Sequence, residues 1–380
     1  MNCAIPTVHS QLKAAIAHGG GPTAVLNASL AGVIEASRSR FDALYAGRFG
    51  LNGLFDEDLP DLLTVPPDRV AGMSAAPGSA LGSSRAAVDH ERLIAVFRQR
   101  DIRVLFYTGG NGSMQTALDV AFHARAAGYE LQVIGIPKTI DNDLLVTHHS
   151  PGYASTARFF ACAARDAGAD NKSLPSPICV LETLGRNAGW IVAATSLARR
   201  NPDDAPHLIY LPERRISLDQ MAADVEAVYR RLGRAVIAVC EGQLDERGEP
   251  FGADVDRKLA SNLGHTLARR LSAKLGLRAR AERPGLVGRS CGSFAVPRDR
   301  RESYACGRAA VAAALAGESC SMVALRAAGE TFLTPLASVA GEERLFPQEW
   351  LAESGHDVTA KFGEYASPLI GEIEGYDSIW

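Results

Sequence analysis

A short charged stretch at residues 137–143, Pro-Lys-Thr-Ile-Asp-Asn-Asp, carries the side chains that phosphoryl transfer requires. Asp141 and Asp143 are two residues apart, Lys138 stands three residues before Asp141, and Thr139 supplies a hydroxyl. Phosphoryl transfer needs a base for the accepting hydroxyl, positive charge over the moving group and oxygen ligands for Mg²⁺. The same Asp-Asn-Asp run could instead be turn chemistry that caps the next helix. We favour the catalytic interpretation because two phosphate-compatible loops accompany this stretch.

Those two loops are glycine-rich stretches that follow predicted strands and enter predicted helices. They are His-Gly-Gly-Gly-Pro-Thr at residues 18–23 and Tyr-Thr-Gly-Gly-Asn-Gly-Ser at residues 107–113. Glycines let the backbone approach a ligand closely, and the free N–H groups of a helix start favour phosphate. Neither stretch has the G-x-x-x-x-G-K-[ST] spacing of a P-loop, and each alone could be only a tight turn. Together they predict a cradle for a polyphosphate.

The elements that must position these loops alternate between strand and helix. We predict strands at residues 13–17, 42–46, 104–107, 131–136, 178–181, 207–211 and 235–240. We predict helices at residues 23–38, 89–99, 113–127, 189–199, 218–232 and 300–316. Such alternation is typical of right-handed βαβ units, which form parallel sheets with helices on both faces. Ligands of such sheets bind outside the carboxyl ends of the strands, where the three loops are predicted to lie.

Composition excludes several classes of protein. The 380 residues carry 40 Lys and Arg against 43 Asp and Glu, so the net charge is −3 and disfavours a nucleic-acid partner. With 47% hydrophobic and 22% charged residues, the chain is expected to be globular, with two or three core-forming units. No apolar run approaches the roughly 20 residues that span a bilayer, and no signal peptide is expected. The seven cysteines include no C-x-x-C pair, which favours reduced thiols in the cytoplasm. Since no apolar run is long enough to span a bilayer, no membrane partner is expected.

Three stretches of the sequence together resemble the signature loops of the 6-phosphofructokinase family. They lie at residues 109–113, 137–143 and 184–189, the last reading Leu-Gly-Arg-Asn-Ala-Gly. Further matches lie at residues 82–85 and 241–242, at Arg280 and at Arg289. The resemblance covers about residues 13–320. It implies an α/β phosphofructokinase fold of two Rossmann-like domains with parallel-type sheets, and phosphorylation of the 1-hydroxyl of fructose 6-phosphate.

The resemblance also implies roles for individual residues. Asp141 would take the proton from the sugar hydroxyl, Thr139 would help to hold that hydroxyl, and Asp143 would orient the loop or the metal. Lys138 would meet charge on the transferred group, and Asn111 would contact the cofactor Mg²⁺. The donor phosphates would be held by Gly21, Arg85, Gly110, Gly112 and Ser113. The sugar phosphate would be held by Leu184, Gly185, Arg186 and Glu241, and its 6-phosphate by Arg280 and Arg289.

Two positions of the family pattern bear on the phosphoryl donor. Glycine at position 112 leaves open the space of a nucleotide α-phosphate and accompanies ATP, whereas an acidic residue there accompanies pyrophosphate. Lys138 is compatible with either donor and resembles the pyrophosphate-using and mixed-donor relatives. We therefore predict ATP as the donor, with reversible transfer from pyrophosphate as the alternative.

Three departures from the family pattern leave the acceptor open. Asn111 replaces an aspartate, Pro177 stands where an arginine is usual, and Leu286 stands where histidine is frequent. The acceptor is therefore fructose 6-phosphate held by fewer contacts, or a related sugar phosphate such as sedoheptulose 7-phosphate. A catalytically weak paralogue that only binds its ligands is the alternative from another class. A dinucleotide-dependent dehydrogenase is disfavoured, because no G-x-G-x-x-G follows the first strand.

The same resemblance predicts the domain organisation. The donor-phosphate domain would comprise residues 1–151 and 290–330, the sugar-phosphate domain residues 152–289, and a C-terminal extension residues 331–380. A homodimer or homotetramer is expected because active sites of the family lie near subunit contacts. Residues 341–344 are predicted to form a solvated turn, and the pair at 148–149 is predicted to consist of loop histidines.

Overall fold

Two parallel sheets form the framework of the molecule. The computed structural model describes residues 12–56, 58–174, 177–251 and 262–376. Within these ranges the strands are β1 (Lys13–His18), β2 (Ala43–Gly47), β3 (Ile102–Gly109), β4 (Gln132–Pro137), β5 (Ile178–Thr183), β6 (Leu208–Tyr210), β7 (Ala235–Cys240), β8 (Ala279–Glu282), β9 (Ser321–Leu325) and β10 (Thr331–Pro335). The helices are α1 (Leu26–Ser37), α2 (Pro67–Ala75), α3 (His90–Arg100), α4 (Asn111–Ala126), α5 (Tyr153–Ser173), α6 (Trp190–Ala194), α7 (Leu218–Leu232), α8 (Leu263–Leu275), α9 (Pro297–Leu315) and α10 (Ala360–Ile370). The predicted α/β class and the first seven strands are confirmed.

The first sheet has the strand order β10-β9-β4-β3-β1-β2 and is parallel except for the antiparallel pair of β9 and β10. Its central strands are buried along most of their length, as expected for a sheet covered on both faces. Their registers place His18 opposite Thr108 and Gly109 opposite Pro137. The loops that follow β1, β3 and β4 therefore leave the sheet side by side.

The second sheet has the order β6-β7-β5-β8 and is parallel throughout. Every residue of β5 and of β7 is buried. Thr183 lies opposite Cys240, and Leu181 lies opposite Glu282. The loops that follow β5, β7 and β8 are therefore also neighbours.

The C-terminal segment is integrated with both sheets. β10 extends the first sheet beyond residue 330, where we predicted the first domain to end, because a tight turn pairs β10 with β9. Farther along the chain, Phe346 and Phe362 share a core with Trp190 of α6. The predicted extension is thus part of the two packed units. Within the described residues, no helix combines the length and apolar character that a bilayer crossing requires.

Candidate active site

A cleft of about 1320 Å³ lies where the loops after the strands of both sheets meet. The predicted site residues that line it are Gly21, Arg85, Gly110, Asn111, Gly112, Ser113, Lys138, Thr139, Asp141, Asp143, Leu184, Gly185, Arg186, Glu241 and Arg289. Arg280 does not line the cleft. Residues far apart in the sequence thus come together because the sheets aim their carboxyl ends at one space.

The donor side of the cleft is formed by the β1–α1 and β3–α4 loops. Gly110 precedes the first turn of α4, so the positive end of that helix dipole faces the cleft. A Cβ on Gly19 or on Gly109 would overlap the hydroxyl of Ser113. The glycines therefore let the two loops and the helix start approach each other closely. Gly112 is different, because a Cβ built there meets no atom within 4 Å.

The side chain of Lys138, at the end of β4, is bonded to the β1–α1 loop. Its side chain is buried, and its Nζ donates hydrogen bonds to the carbonyls of Gly19 and Gly21, both at 2.7 Å. Burial lowers the pKa of Lys138 to about 7, helped by Arg85 and Arg289. An ammonium group has three N–H donors, so one remains for an anion in the cleft. A bound phosphate would stabilise the charged form of the lysine.

Asp141 lies in the same buried environment. Burial raises the pKa of Asp141 to about 7, and the negative charges of Asp143 and Glu241 add to this effect. Arg186 and Lys138 act in the opposite direction. A carboxylate with a pKa near neutrality is well suited to accept a proton from a hydroxyl and to release it later.

Asn111 is oriented by Asp143. The Nδ2 of Asn111 donates to the Oδ2 of Asp143 at 2.9 Å and to its carbonyl at 3.2 Å. The Oδ1 of Asn111 is buried and has no hydrogen-bond partner in the described part of the chain. An unpaired amide oxygen beside a carboxylate and a phosphate-binding loop fits Mg²⁺, which binds proteins through a few oxygens and keeps waters and substrate phosphates.

The sugar side of the cleft is formed by residues 184–190, here called the sugar loop, and by Glu241. Gly185 has φ +128° and Arg186 has φ +48°, so the loop turns back sharply after β5. A Cβ on Gly242 would overlap the carbonyl of Arg186, which explains the glycine after Glu241. Burial raises the pKa of Glu241, and Glu182 contributes to this effect.

Arg280, which the family resemblance matches to a ligand of the 6-phosphate, does not line the cleft of this chain. Its guanidinium pairs with Asp170 of α5 and approaches Glu282, because within β8 its side chain leaves the sheet towards α5. Arg283, which follows the end of β8, lines the cleft instead. Its Nε donates at 2.7 Å to the buried Glu182. Arg283 was missed because β8, the strand that it follows, was not predicted.

Arg289 lies closer to the donor side than its predicted role suggests. A Cβ on Gly21 would come within 2.8 Å of the Nη1 of Arg289. Burial lowers the pKa of this arginine, as do the charges of Arg85 and Arg186, whereas Asp141 raises it. Arg289 is therefore placed between the two sides of the cleft, where the transferred group would pass.

Three further positions were missed or uncertain in the sequence. Glu343 lines the cleft and accepts a hydrogen bond from the Nδ2 of Asn187, although we predicted a solvated turn there. Leu286 also lines the cleft and is 61% exposed. Pro177 immediately precedes β5 and does not line the cleft. No pattern signalled Glu343, because it reaches the cleft from the C-terminal segment.

Comparisons with known proteins place the chain in one family. The phosphofructokinase family model matches residues 13–314. The pyrophosphate–fructose 6-phosphate 1-phosphotransferase of Rhodospirillum rubrum is 38% identical over 381 residues, 94% of either chain. The protein of the same name from Halomonas elongata is 36% identical, over 95% of this chain and 92% of its own. The crystal structure of pyrophosphate-dependent phosphofructokinase from Nitrosospira multiformis has a TM-score of 0.89 and 33% identity, covering 98% of this chain and 94% of its own.

Proposed function

Because the chain belongs to the phosphofructokinase family, we propose that it transfers a phosphoryl group from pyrophosphate to the 1-hydroxyl of fructose 6-phosphate. The products are fructose 1,6-bisphosphate and inorganic phosphate, and the reaction runs in both directions. The observation that carries this proposal is the position of Asp141 in a cleft with cations on both sides, Lys138 and Arg85 facing the donor and Arg186 and Arg283 facing the acceptor. Such a cleft suits two anionic substrates.

Asp141 acts as the general base in this reaction. Its carboxylate takes the proton of the 1-hydroxyl while the oxygen attacks the donor phosphorus. Thr139 lies beside it, since its Oγ1 accepts the backbone N–H of Asp141 at 3.1 Å. Lys138, which is buried, and Arg289, which is half-buried, stabilise charge on the transferred group.

Pyrophosphate is preferred to ATP as the donor because the relatives described above carry that donor in their names. The sequence favoured ATP on the strength of Gly112. The open space beside Gly112 admits a nucleotide but contributes no contact that would bind it. Space that only admits ATP is weak support for ATP as the donor. Pyrophosphate, the alternative donor predicted from the sequence, is the better proposal.

Mg²⁺ would be held by the Oδ1 of Asn111 together with oxygens of the donor, and the carboxylate of Asp143 would keep the amide in place. The ion would supply charge neutralisation and Lewis-acid activation of the donor. An amide oxygen binds a hard cation less strongly than a carboxylate does. The donor phosphates must therefore provide more of the coordination.

A donor–acceptor matrix tests the proposal. Purified protein is assayed with Mg²⁺ and fructose 6-phosphate against pyrophosphate and against ATP, and in reverse with fructose 1,6-bisphosphate and phosphate. We expect turnover with pyrophosphate and in reverse, and a loss of about 10²–10⁴-fold in kcat for Asp141→Asn. Asp119→Asn, on the same helix as Asn111 but outside the cleft, is the control. Turnover with ATP alone, or with neither donor, would overturn the proposal.

Sedoheptulose 7-phosphate belongs in the same matrix as a competing acceptor. The apolar, exposed Leu286 leaves part of the sugar side without a polar contact, so a longer sugar phosphate could be accommodated there. We expect fructose 6-phosphate to have the higher kcat/KM.

We also propose that the protein is a cytoplasmic homo-oligomer, a dimer or a tetramer. Light scattering of the purified protein measures its oligomeric state.

A further inference from the structure

Residues 343–346, here called the strap, contact loops from both sides of the cleft. The strap belongs to the C-terminal segment, which the family match at residues 13–314 does not include. On one side it contacts residues 138–148, here called the catalytic loop. On the other side it contacts the sugar loop.

Arg344 holds the catalytic loop through its backbone carbonyls. Its Nε and Nη2 donate to the carbonyl of Asn142 at 3.0 and 2.7 Å. Its Nη1 donates to the carbonyls of Thr147 and His148 at 2.7 and 2.8 Å. The backbone N–H of Arg344 donates to the carbonyl of Asp143 at 2.7 Å. One residue thus donates to four carbonyls of the irregular loop, two of which also accept from Asn111 and Tyr365.

The same strap is tied to the sugar loop. The carbonyl of Arg344 accepts the indole N–H of Trp190 at 3.1 Å, and its guanidinium lies 4.7 Å from the centre of the Trp190 ring. Two residues on, the backbone N–H of Phe346 donates to the Oε1 of Glu213. That oxygen also accepts the N–H of Gly189. The strap therefore connects the residues beside Arg186 to those beside Asp141.

The conformation of Asn142, between the two aspartates, is held by contacts on several sides. Its φ is +57°, a left-handed conformation that asparagine adopts more readily than most L-residues. Its Nδ2 donates to the Oη of Tyr365 at 2.7 Å, and its Oδ1 accepts the N–H of Ser150 at 3.0 Å. Its carbonyl is the one that accepts twice from Arg344. The C-terminal segment thus fixes the conformation of the residue that sets the direction of Asp141.

We propose that Arg344 is a positioning residue, which locks the catalytic loop to the sugar loop so that Asp141 meets the acceptor hydroxyl in one geometry. The inference rests on the proposed function, because it needs Asp141 to be the base. Arg344 does not line the cleft, so its loss should affect the chemical step more than the binding of either substrate.

The test is Arg344→Ala with chemical rescue. Because a misplacement of about 1 Å can lower a rate about 10²-fold, we expect kcat to fall by about that factor while KM for fructose 6-phosphate and for pyrophosphate changes little. Guanidinium ion, added well below unfolding concentrations, should occupy the vacated space and restore part of kcat. Guanidinium weakens folded proteins, so such recovery cannot come from improved folding.

Arg98→Ala is the matched control. Arg98 also donates to a backbone carbonyl, that of Ala127, and also lies over an aromatic ring, that of Tyr129, but far from both loops. Its loss should leave kcat unchanged and give no response to guanidinium. Tyr365→Phe removes one hydroxyl from the same network and should lower kcat in the same direction, by a smaller factor.

The outcomes separate the two proposals. A wild-type protein without turnover contradicts the proposed function. An active wild type together with an unchanged kcat in Arg344→Ala, or a fall in kcat that guanidinium does not reverse, overturns the positioning role. If Arg344→Ala does not fold, an unchanged kcat in Tyr365→Phe overturns it instead, and a reduced kcat with unchanged KM supports it.

Discussion

At the scale of single residues, the pKa of Asp141 links burial to catalysis. Burial and the charges of Asp143 and Glu241 raise that pKa to about 7, so the base is increasingly protonated below neutrality. The value of kcat/KM should therefore fall as the pH drops below about 7, and it should fall again at higher pH as Lys138, whose pKa burial lowers to about 7, loses its proton. The low-pH limb of kcat/KM is the measurement that reports this group in the free enzyme.

Glu241→Gln tests that assignment. The substitution removes one of the negative charges that raise the pKa of Asp141, so the low-pH limb should move to lower pH. KM for the sugar phosphate should rise as well, but a change in KM alone does not displace the limb. A limb that stays in place would mean that Asp141 does not control it. Glu226→Gln, on the exposed face of α7, is a control of the same chemistry.

Arg283 and Arg280 offer a second comparison between residues. Arg283 lines the cleft and is held by the buried Glu182, whereas Arg280 pairs with Asp170. A hydrogen bond to a charged group contributes about 1.5–3 kcal/mol, so Arg283→Ala should raise KM for fructose 6-phosphate about 10–100-fold. Arg280→Ala should raise it less. Steady-state kinetics of the two variants decide which arginine contributes more to sugar-phosphate binding. The reverse order would support the sequence-based assignment of Arg280.

At the scale of elements, the packing of α1 on α9 supports the donor side of the cleft. A Cβ on Gly32 would overlap the carbonyl of Tyr304, and a Cβ on Gly307 would overlap that of Ser29. The two glycines let the helix backbones touch, and the loop after β1 leads directly into α1. Because backbone atoms cannot move aside as a flexible side chain can, neither site tolerates a methyl group.

Gly307→Ala should therefore lower the free energy of unfolding by about 1–3 kcal/mol, the usual effect of overpacking. Gly72→Ala is the matched control, because Gly72 lies inside the exposed helix α2 and a Cβ there meets no atom within 4 Å. Gly72→Ala should raise the free energy of unfolding by about 0.5–1 kcal/mol, because alanine is a better helix former than glycine. Urea unfolding measures both, and equal stability of the two variants would contradict the close-packing explanation.

At the scale of the whole molecule, the sequence predicted what periodicity and loop chemistry can reveal. Strands β1–β7 and the loops at their ends lie where they were expected, because continuous apolar runs mark buried strands. Helix α5 was missed because it is buried around most of its circumference and carries small polar residues there, which blurs a one-sided pattern. β8 was missed because two of its four residues are charged and none of the four is buried, and Arg283 was missed together with it.

The contribution of the C-terminal segment could not be predicted for another reason. Arg344 acts through bonds to backbone carbonyls and through the face of Trp190, and neither partner has a sequence signature. Its role depends on where the chain returns after β10. Only the folded molecule shows that a stretch with the composition of a solvated turn connects the two sides of the active site.

Both sides of the cleft belong to one folded molecule, so the binding of either substrate should raise the free energy of unfolding of the whole molecule. A ligand at a hundred times its Kd adds about 2.7 kcal/mol to the free energy of unfolding. Fructose 6-phosphate should therefore raise Tm with or without Mg²⁺, because its predicted ligands are protein groups such as Arg186 and Arg283. Pyrophosphate should raise Tm more with Mg²⁺ than without it, because its contact with Asn111 runs through the ion.

Thermal unfolding with each substrate, in Mg²⁺ and in EDTA, makes this measurement without any turnover. Asn111→Leu removes the unpaired oxygen while keeping the size of the side chain, so it should weaken the pyrophosphate shift in Mg²⁺ and leave the fructose 6-phosphate shift in place. Asn52→Leu is the matched control, because Asn52 is half-buried away from the cleft and its Oδ1 is also buried without a hydrogen-bond partner in the described part of the chain. A pyrophosphate shift of the same size in EDTA would show that Lys138, Arg85 and Arg289 bind the donor fully without the ion, and the metal would then act only in the chemical step.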